Sequence, residues 1–320
     1  MESSDMKLQP ELRRSDIWFD DGNLVIQAGD QLFRVYKGML TSISPVFKDL
    51  FLVAVPSSED PEMIDGCPVI RVPDPSDEFH SLMKVLFQWG SFPDEADSPS
   101  IITVAGILKM SQKYMAHDIR SKAYSYLEHQ FPSQYNHFLE RYEADTYTPF
   151  TTNCLIRVAN VARETNTLVI LPAVLFLLCA LPMDDILKQA FESSSEGVTL
   201  LPANFIAILK GRPRLSHFAR KNIYSSSFFN KEIAGCHAIS RCRSLNSLWA
   251  EAAEQMDGWI NPFECHILSP IQNARCSICS MKAVDEMWDG RKKMWHIMPS
   301  IFDLPGWDEM RRLSQTLDDF

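Results

Sequence analysis

The sequence predicts an α+β N-terminal part followed by an all-α region, and three observations carry that expectation. Residues 24–35, LVIQAGDQLFRV, alternate apolar and polar around Gly29-Asp30, the period-two pattern of a half-buried hairpin. The pattern then turns helical: Met39, Leu40, Ile43 and Phe47 recur at spacings of one, three and four. After Pro132 no alternating run returns, and each apolar segment keeps helical spacing.

Taken in order, SDIWFDDGNLVIQAGDQLFRVYKG (15–38) reads as a β-hairpin with turn chemistry at Asp20-Asp21-Gly22-Asn23 and Ala28-Gly29-Asp30. TSISPVFKDLF follows as a helix, with Ser42 or Ser44 as N-cap and Pro45 in its first turn. Residues 56–66 are polar and read as a loop, and Val69–Val72 forms a third strand. Helices are expected at Ser76–Trp89, Ile101–Tyr114 and Asp118–His129, the last ended by Phe131-Pro132. Beyond it come helices at Tyr135–Tyr142, Cys154–Glu164, Pro172–Ala180, Met183–Phe191, Pro202–Leu209 and Leu215–Phe229.

A chain of 320 residues exceeds one typical domain. Apolar residues make up 46% and charged residues 22%, so it can bury a sizeable core. The net charge of −10 has the wrong sign for neutralising phosphates, which speaks against non-specific nucleic-acid binding. Residues 168–181 are all apolar, but they fall short of the ~20 residues a bilayer span needs. Pro172 suits the first turn of a buried core helix there. The opening residues contain no apolar segment and no Asn-x-Ser/Thr acceptor occurs, so the expectation is an intracellular protein, in cytoplasm or nucleus, with no membrane partner.

The order hairpin, helix, strand, helices, carried by particular residues, resembles a BTB/POZ domain. Those residues are Ser15-Asp16-Ile17, then Phe33, Val35, Tyr36, Leu40, Ser44, Phe47 and Phe51, and later Lys109-Met110-Ser111, Lys113-Tyr114 and Asp118-Ile119. The segment 15–40 is similar to the BTB proteins expanded in mushroom-forming (basidiomycete) fungi, as is the ending RKKMWHIMPSIFDLPGWDEM. The resemblance implies a BTB/POZ domain at 15–131, a small sheet flanked by helices. It further implies a helical, BACK-like domain at 135–230 and a Cys- and Trp-rich helical subdomain at 231–320. It implies a non-enzymatic protein–protein interaction module, a scaffold or substrate adaptor, whose partner is a cullin-type ubiquitin-ligase scaffold or another BTB protein. A transcription-associated regulator is an alternative. Tyr36 stands where most of the family has His. Only 14 residues precede Ser15, so the exchanged-segment dimer of many relatives is not expected. The hydrophobic-x-Glu motif of cullin adaptors has only a loose counterpart in Val53, Val55 and Glu59. The apolar residues at 33–51 are assigned to the core, and a partner surface to Lys48, Asp49 or the 56–66 loop.

Chemistry concentrates near the end. Five of eight cysteines lie between Cys236 and Cys279. Cys276-Ser-Ile-Cys279 has the C-x-x-C spacing that aims two thiolates at one tetrahedral ion. Cys236 and Cys242 form a looser second pair, so the expected metal ligands are Cys236, Cys242, Cys276 and Cys279, with His237, Cys265 and His266 as spares. Four soft thiolates suit a closed structural zinc site. Two readings stand beside it: reduced thiols buried in a helical core, and a thiol-dependent enzyme or redox protein using the Cys276/Cys279 pair. The motifs G-x-S-x-G, G-x-G-x-x-G, H-E-x-x-H and the P-loop do not occur, and no catalytic residues are assigned. Trp288 and Trp295, seven apart, share a face if they lie on one helix, and Leu304-Pro305-Gly306-Trp307 is a turn that pins the tail back. A zinc staple is expected to bring Trp249 and Trp259 near the final helix.

Overall fold

The computed structural model describes residues 12–53, 62–88, 100–147, 150–191, 199–224, 234–245, 258–263 and 274–316. They belong to two compact units, divided after Gln130.

The first unit contains β1 (Arg13–Trp18), β2 (Leu24–Ala28), β3 (Gln31–Val35), α1 (Lys37–Ile43), α2 (Pro45–Val53), β4 (Met63–Ile64), β5 (Cys67–Val72), α3 (Ser76–Phe87), α4 (Ile101–Lys113) and α5 (His117–Gln130). The expected hairpin is β2–β3, antiparallel with Leu24 opposite Val35 and Ala28 opposite Gln31. β1 is not part of it. It lies on the far side of β3 and runs parallel to it, and β5 pairs parallel with β2, giving the order β1-β3-β2-β5-β4. The five residues after Trp18 carry the chain across the end of β3: the Phe19 N–H donates to Arg34 O, and Gly22 N–H to Phe19 O. A Cβ on Gly22 would lie 3.0 Å from both the Arg34 side chain and the Phe19 carbonyl, so glycine keeps this crossing tight. β4 is a short strand at the end of the stretch read as a loop, pairing Met63 with Pro68.

Of the two N-caps expected for the helix at 41–51, Ser44 is the one used, with Pro45 opening α2, and the residues before it form the separate helix α1. Ser44 precedes Pro45, and proline pushes its neighbour out of the helical region. Ser44 is extended, at φ −133°. Its hydroxyl accepts from the Phe47 N–H at 3.0 Å and donates to Tyr114 O, so it caps α2 and ties it to the end of α4. Phe47 stacks on Tyr114 with centroids 4.2 Å apart, and Phe79 meets both edge-on. Tyr114 donates to Asp74, and burial together with that carboxylate raises its pKa. Of the apolar residues at 33–51 assigned to the core, Phe33, Val35, Leu40, Phe47 and Phe51 are buried, whereas Met39 and Ile43 of α1 are exposed.

The second unit contains α6 (Tyr135–Glu143), α7 (Thr152–Glu164), α8 (Leu171–Ala180), α9 (Met183–Phe191), α10 (Pro202–Phe218), α11 (Ser277–Ile301) and α12 (Trp307–Thr316). No strand occurs among its described residues. Residues 171–179, the centre of the long apolar run, are all buried as α8, with Pro172 in its first turn. The 168–180 and 183–191 helices are bent by 113°, and no described helix alone is long and apolar enough to cross a membrane.

Two helices expected on either side of Gly211-Arg212-Pro213 are one. α10 continues through Pro213 and closes in a π turn, Ala219–Ile223. An interior proline removes one backbone bond. Here flanking side chains hold the helix from outside: Arg212 donates to Leu181 O at 2.9 Å and Arg214 to Ile301 O at 2.8 Å. Helices approach closely where a Cβ is missing. A Cβ on Gly211 would sit 2.3 Å from the Phe302 ring, and one on Gly290 would sit 2.6 Å from Asn222 O.

The expected Leu304–Trp307 turn leads into a helix not foreseen in the sequence. Trp307 opens α12, stacks on Trp295 with centroids 5.6 Å apart, and donates its indole N–H to Trp295 O at 3.0 Å. Trp295 is buried, stacks on Phe138 at 4.3 Å and donates to Ser133 O, whereas Trp288, on the same helix, is half-buried.

Two predictions follow from these contacts. Gly290→Ala is expected to destabilise the second unit by about 1–3 kcal/mol in urea unfolding, because backbone must move to admit the methyl group. Gly38→Ala in α1 meets nothing within 4 Å and is expected to be neutral or stabilising by up to ~1 kcal/mol. Equal effects of the two substitutions would contradict the close approach. The second concerns Asp16, whose carboxylate faces His80 at 2.6 Å and is held down to about 2, first by that hydrogen bond. A depressed carboxylate stabilises above its unfolded value of ~3.9, and the contribution disappears as pH falls toward 2. Asp16 is more than half exposed, so Asp16→Asn is expected to cost under ~1 kcal/mol at pH 7 and to flatten the stability slope between about pH 4 and 2. An unchanged acid slope would show that the pair does not couple to folding.

Candidate metal centre

In the structure Cys276 is the N-cap of α11, extended at φ −67°, ψ 156°. Cys279 follows three residues later in the first turn, so both sulfurs gather at the positive end of the helix. The other pair arrives on residues 234–245. Gly235, at φ +83°, turns the chain ahead of Cys236, and Cys242 lies on the short helical stretch 239–245, its N–H bonded to Ala238 O.

The four sulfur atoms of Cys236, Cys242, Cys276 and Cys279 all lie within 4.8 Å of one another. Cys236 Sγ is 3.8 Å from Cys276 Sγ. A tetrahedron with Zn–S bonds of about 2.3 Å has edges of about 3.8 Å. One edge of the cluster thus matches that of a tetrathiolate shell, and no edge exceeds 4.8 Å. All four expected ligands are brought together, Cys242 and Cys279 on the buried side and Cys236 and Cys276 half-buried. His237 is exposed and is not among the converging ligand atoms. Cys265 and His266 lie outside the described residues.

Electrostatics differentiate the four. Backbone N–H groups of Cys279 and His237, with the neighbouring thiols, favour a thiolate at Cys276 and bring its pKa down to about 6, the Cys279 backbone contributing most. Burial raises Cys242, and burial followed by the adjacent sulfurs raises Cys279 strongly. Like charges cannot crowd a half-buried site unless a cation joins them. Arg275, buried and next in sequence to the cluster, supplies positive charge toward Cys279 and Cys242. The sequence reading missed it, although an Arg directly before a C-x-x-C was the available signal.

The remaining cysteines differ. Cys154 and Cys179 are enclosed in the helical core, where burial pushes Cys154 up to about 11 and Cys179 higher still. These two fit the buried-thiol reading.

Between the two cysteine pairs, residues 258–263 pack into the second unit. The Trp259 ring sits 6.2 Å from Phe176 and 5.4 Å from the Arg212 guanidinium, so it meets α8 and α10 rather than the final helices. Phe263 makes the contact with α11 instead: buried Arg291 donates to Pro262 O at 2.9 Å and Phe263 O at 3.2 Å, and Tyr224 donates to Asn261 O. Trp249 lies outside the described residues.

Comparison of the chain with protein-family models, curated proteins and solved structures finds no match.

Thiol labelling separates the two classes of cysteine. In native protein given a strong chelator, Cys236 and Cys276 are expected to alkylate first, and Cys154 and Cys179 only on unfolding. Equal labelling of Cys179 and Cys276 in the folded chain would contradict this arrangement.

Proposed function

We propose that the chain is a non-enzymatic protein–protein interaction protein, with a BTB/POZ-type first unit and a helical second unit stapled by a structural zinc ion on Cys236, Cys242, Cys276 and Cys279. The observation that carries the metal reading is the convergence of four sulfurs from two chain segments to within 4.8 Å of one another. Zinc is favoured because four thiolates complete its shell and leave no open position for catalysis. The ion would join Cys242 to Cys276 across 33 intervening residues. Closing a loop of that length contributes about 3–4 kcal/mol in the chain-entropy picture. Binding energy would also be folding energy for residues 236–300.

The interaction reading rests on the residue resemblance, on the order hairpin, helices, strand, helices in the first unit, and on its surface. α2 leaves Leu52 and Val53 exposed at its end, beside Lys48 and Asp49. Val55 and Glu59, part of the loose adaptor motif, lie outside the described residues, as do residues 1–11 ahead of β1. A cullin scaffold and another BTB protein both remain partners of the proposed kind. The rival class, thiol chemistry at Cys276, draws on its low pKa and partial exposure.

Elemental analysis of protein purified without chelators is expected to find one zinc per chain, lost in Cys279→Ser, with faster amide exchange confined to residues 236–300. Affinity capture from the native organism with the full chain is expected to recover a stoichiometric partner that Leu52→Asp/Val53→Asp releases. A metal-free wild-type chain sinks the zinc reading. Turnover of a thiol substrate that depends on Cys276 would replace the interaction reading by an enzymatic one.

A further inference from the structure

The cluster offers two ways to oxidise, and the structure distinguishes them. The C-x-x-C motif suggests that Cys276 pairs with Cys279, three residues on. The structure also sets Cys276 Sγ 3.8 Å from Cys236 Sγ, on the other chain segment, with all four sulfurs within 4.8 Å of one another, so burial rather than distance separates the pairings. These two sulfurs are the half-buried members, whereas Cys242 and Cys279 are buried. An oxidant arriving from solvent therefore meets Cys236 and Cys276 first, and finds them adjacent.

We infer that Cys236 and Cys276 are a redox modification site at which a hydroperoxide forms a disulfide and ejects the metal ion, an inference that rests on the zinc reading above. The electrons balance with hydrogen peroxide as oxidant. The Cys276 thiolate attacks one peroxide oxygen; the O–O bond breaks, leaving a sulfenic acid on Cys276 and a hydroxide that takes a proton to become water. The Cys236 thiolate then attacks the Cys276 sulfur. The S–S bond forms as the S–O bond breaks, and a second hydroxide leaves and is protonated. Two sulfurs lose two electrons and the peroxide gains them. The ion loses two of its four ligands, and the two that remain, Cys242 and Cys279, do not complete a tetrahedral shell.

The pairing has a structural consequence that separates it from C-x-x-C chemistry. A Cys276–Cys279 disulfide would lie within one helical turn and leave the 234–245 segment untethered. A Cys236–Cys276 disulfide joins the same two segments the ion joins. The metal departs, and a covalent link keeps the ends together. A thiol reductant restores the dithiol and metal binding.

The test uses the full chain with its metal retained. Hydrogen peroxide is titrated in, released ion is read with a chromogenic chelator, and disulfides are mapped on peptides without reduction. The expected result is loss of the one bound ion together with a Cys236–Cys276 link, both reversed by reductant and added zinc. Cys276→His keeps a ligand for zinc but removes the attacking sulfur, and is expected to hold its ion at a peroxide dose that empties the wild type. If that variant does not load, Cys236→His, which keeps the attacking sulfur and removes its partner, is expected to stop at a sulfenic acid on Cys276, trapped by dimedone, and the absence of that adduct would overturn the inference. A metal-loaded protein that keeps its ion under peroxide, or that links any other pair, overturns the inference and leaves the zinc reading standing. A chain that carries no metal but still forms Cys236–Cys276 keeps the pairing and overturns the zinc reading.

Discussion

The second unit depends on one constraint: α11 must be held at both ends of its 25 residues. At its start, four sulfurs crowd onto the helix N-terminus, where backbone N–H groups favour the thiolate of Cys276. Toward its end, Trp295 lies in an aromatic stack with Phe138 of α6 and Trp307 of α12, with both indole N–H groups satisfied by carbonyls. Between them Gly290 lets the π turn of α10 approach to backbone contact. Buried Arg291, one residue on, spends its donors on the carbonyls of Pro262 and Phe263 and so fixes the segment lying between the two cysteine pairs. Cluster, seam and stack are successive stations along a single helix.

Local periodicity made most elements legible. α9 matches the sequence expectation to the residue, and α3 to α8 within about two residues of their ends; among these, side-chain caps mark α4, at Ser100, and α7, at Thr151, while α8 is apolar all round and is legible from its length and Pro172. Pairing was not legible. The alternation in Leu24–Val35 says which residues face the core, but not that β1 docks beside β3 in parallel rather than joining the hairpin. Pro213 misled for a related reason. Proline breaks a helix that stands alone, whereas tertiary bonds from Arg212 and Arg214 hold this one through it. α12 escaped notice because its apolar face is carried by few residues, chiefly Trp307 and Met310.

The candidate site was legible as a ligand set and not as a geometry. Spacing of two between Cys276 and Cys279 and of five between Cys236 and Cys242 identified the four residues. It did not reveal that Cys276 would cap a helix, that the half-buried pair would run across the segments, or that buried Arg275 would interact electrostatically with Cys279 and Cys242. These depend on where a helix begins and how two distant segments meet, which no local spacing encodes.

The contact of Gly211 with Phe302 links two positions ninety-one residues apart. A phenyl ring occupies the volume that any side chain at 211 would need, so neither position can change alone. Among descendants of this chain, a residue with a Cβ at 211 should appear only with a smaller side chain at 302, and a bulky 302 only with glycine at 211. The two columns would then vary as one character, recording the closeness of α10 and the end of α11 in a form readable without any structure.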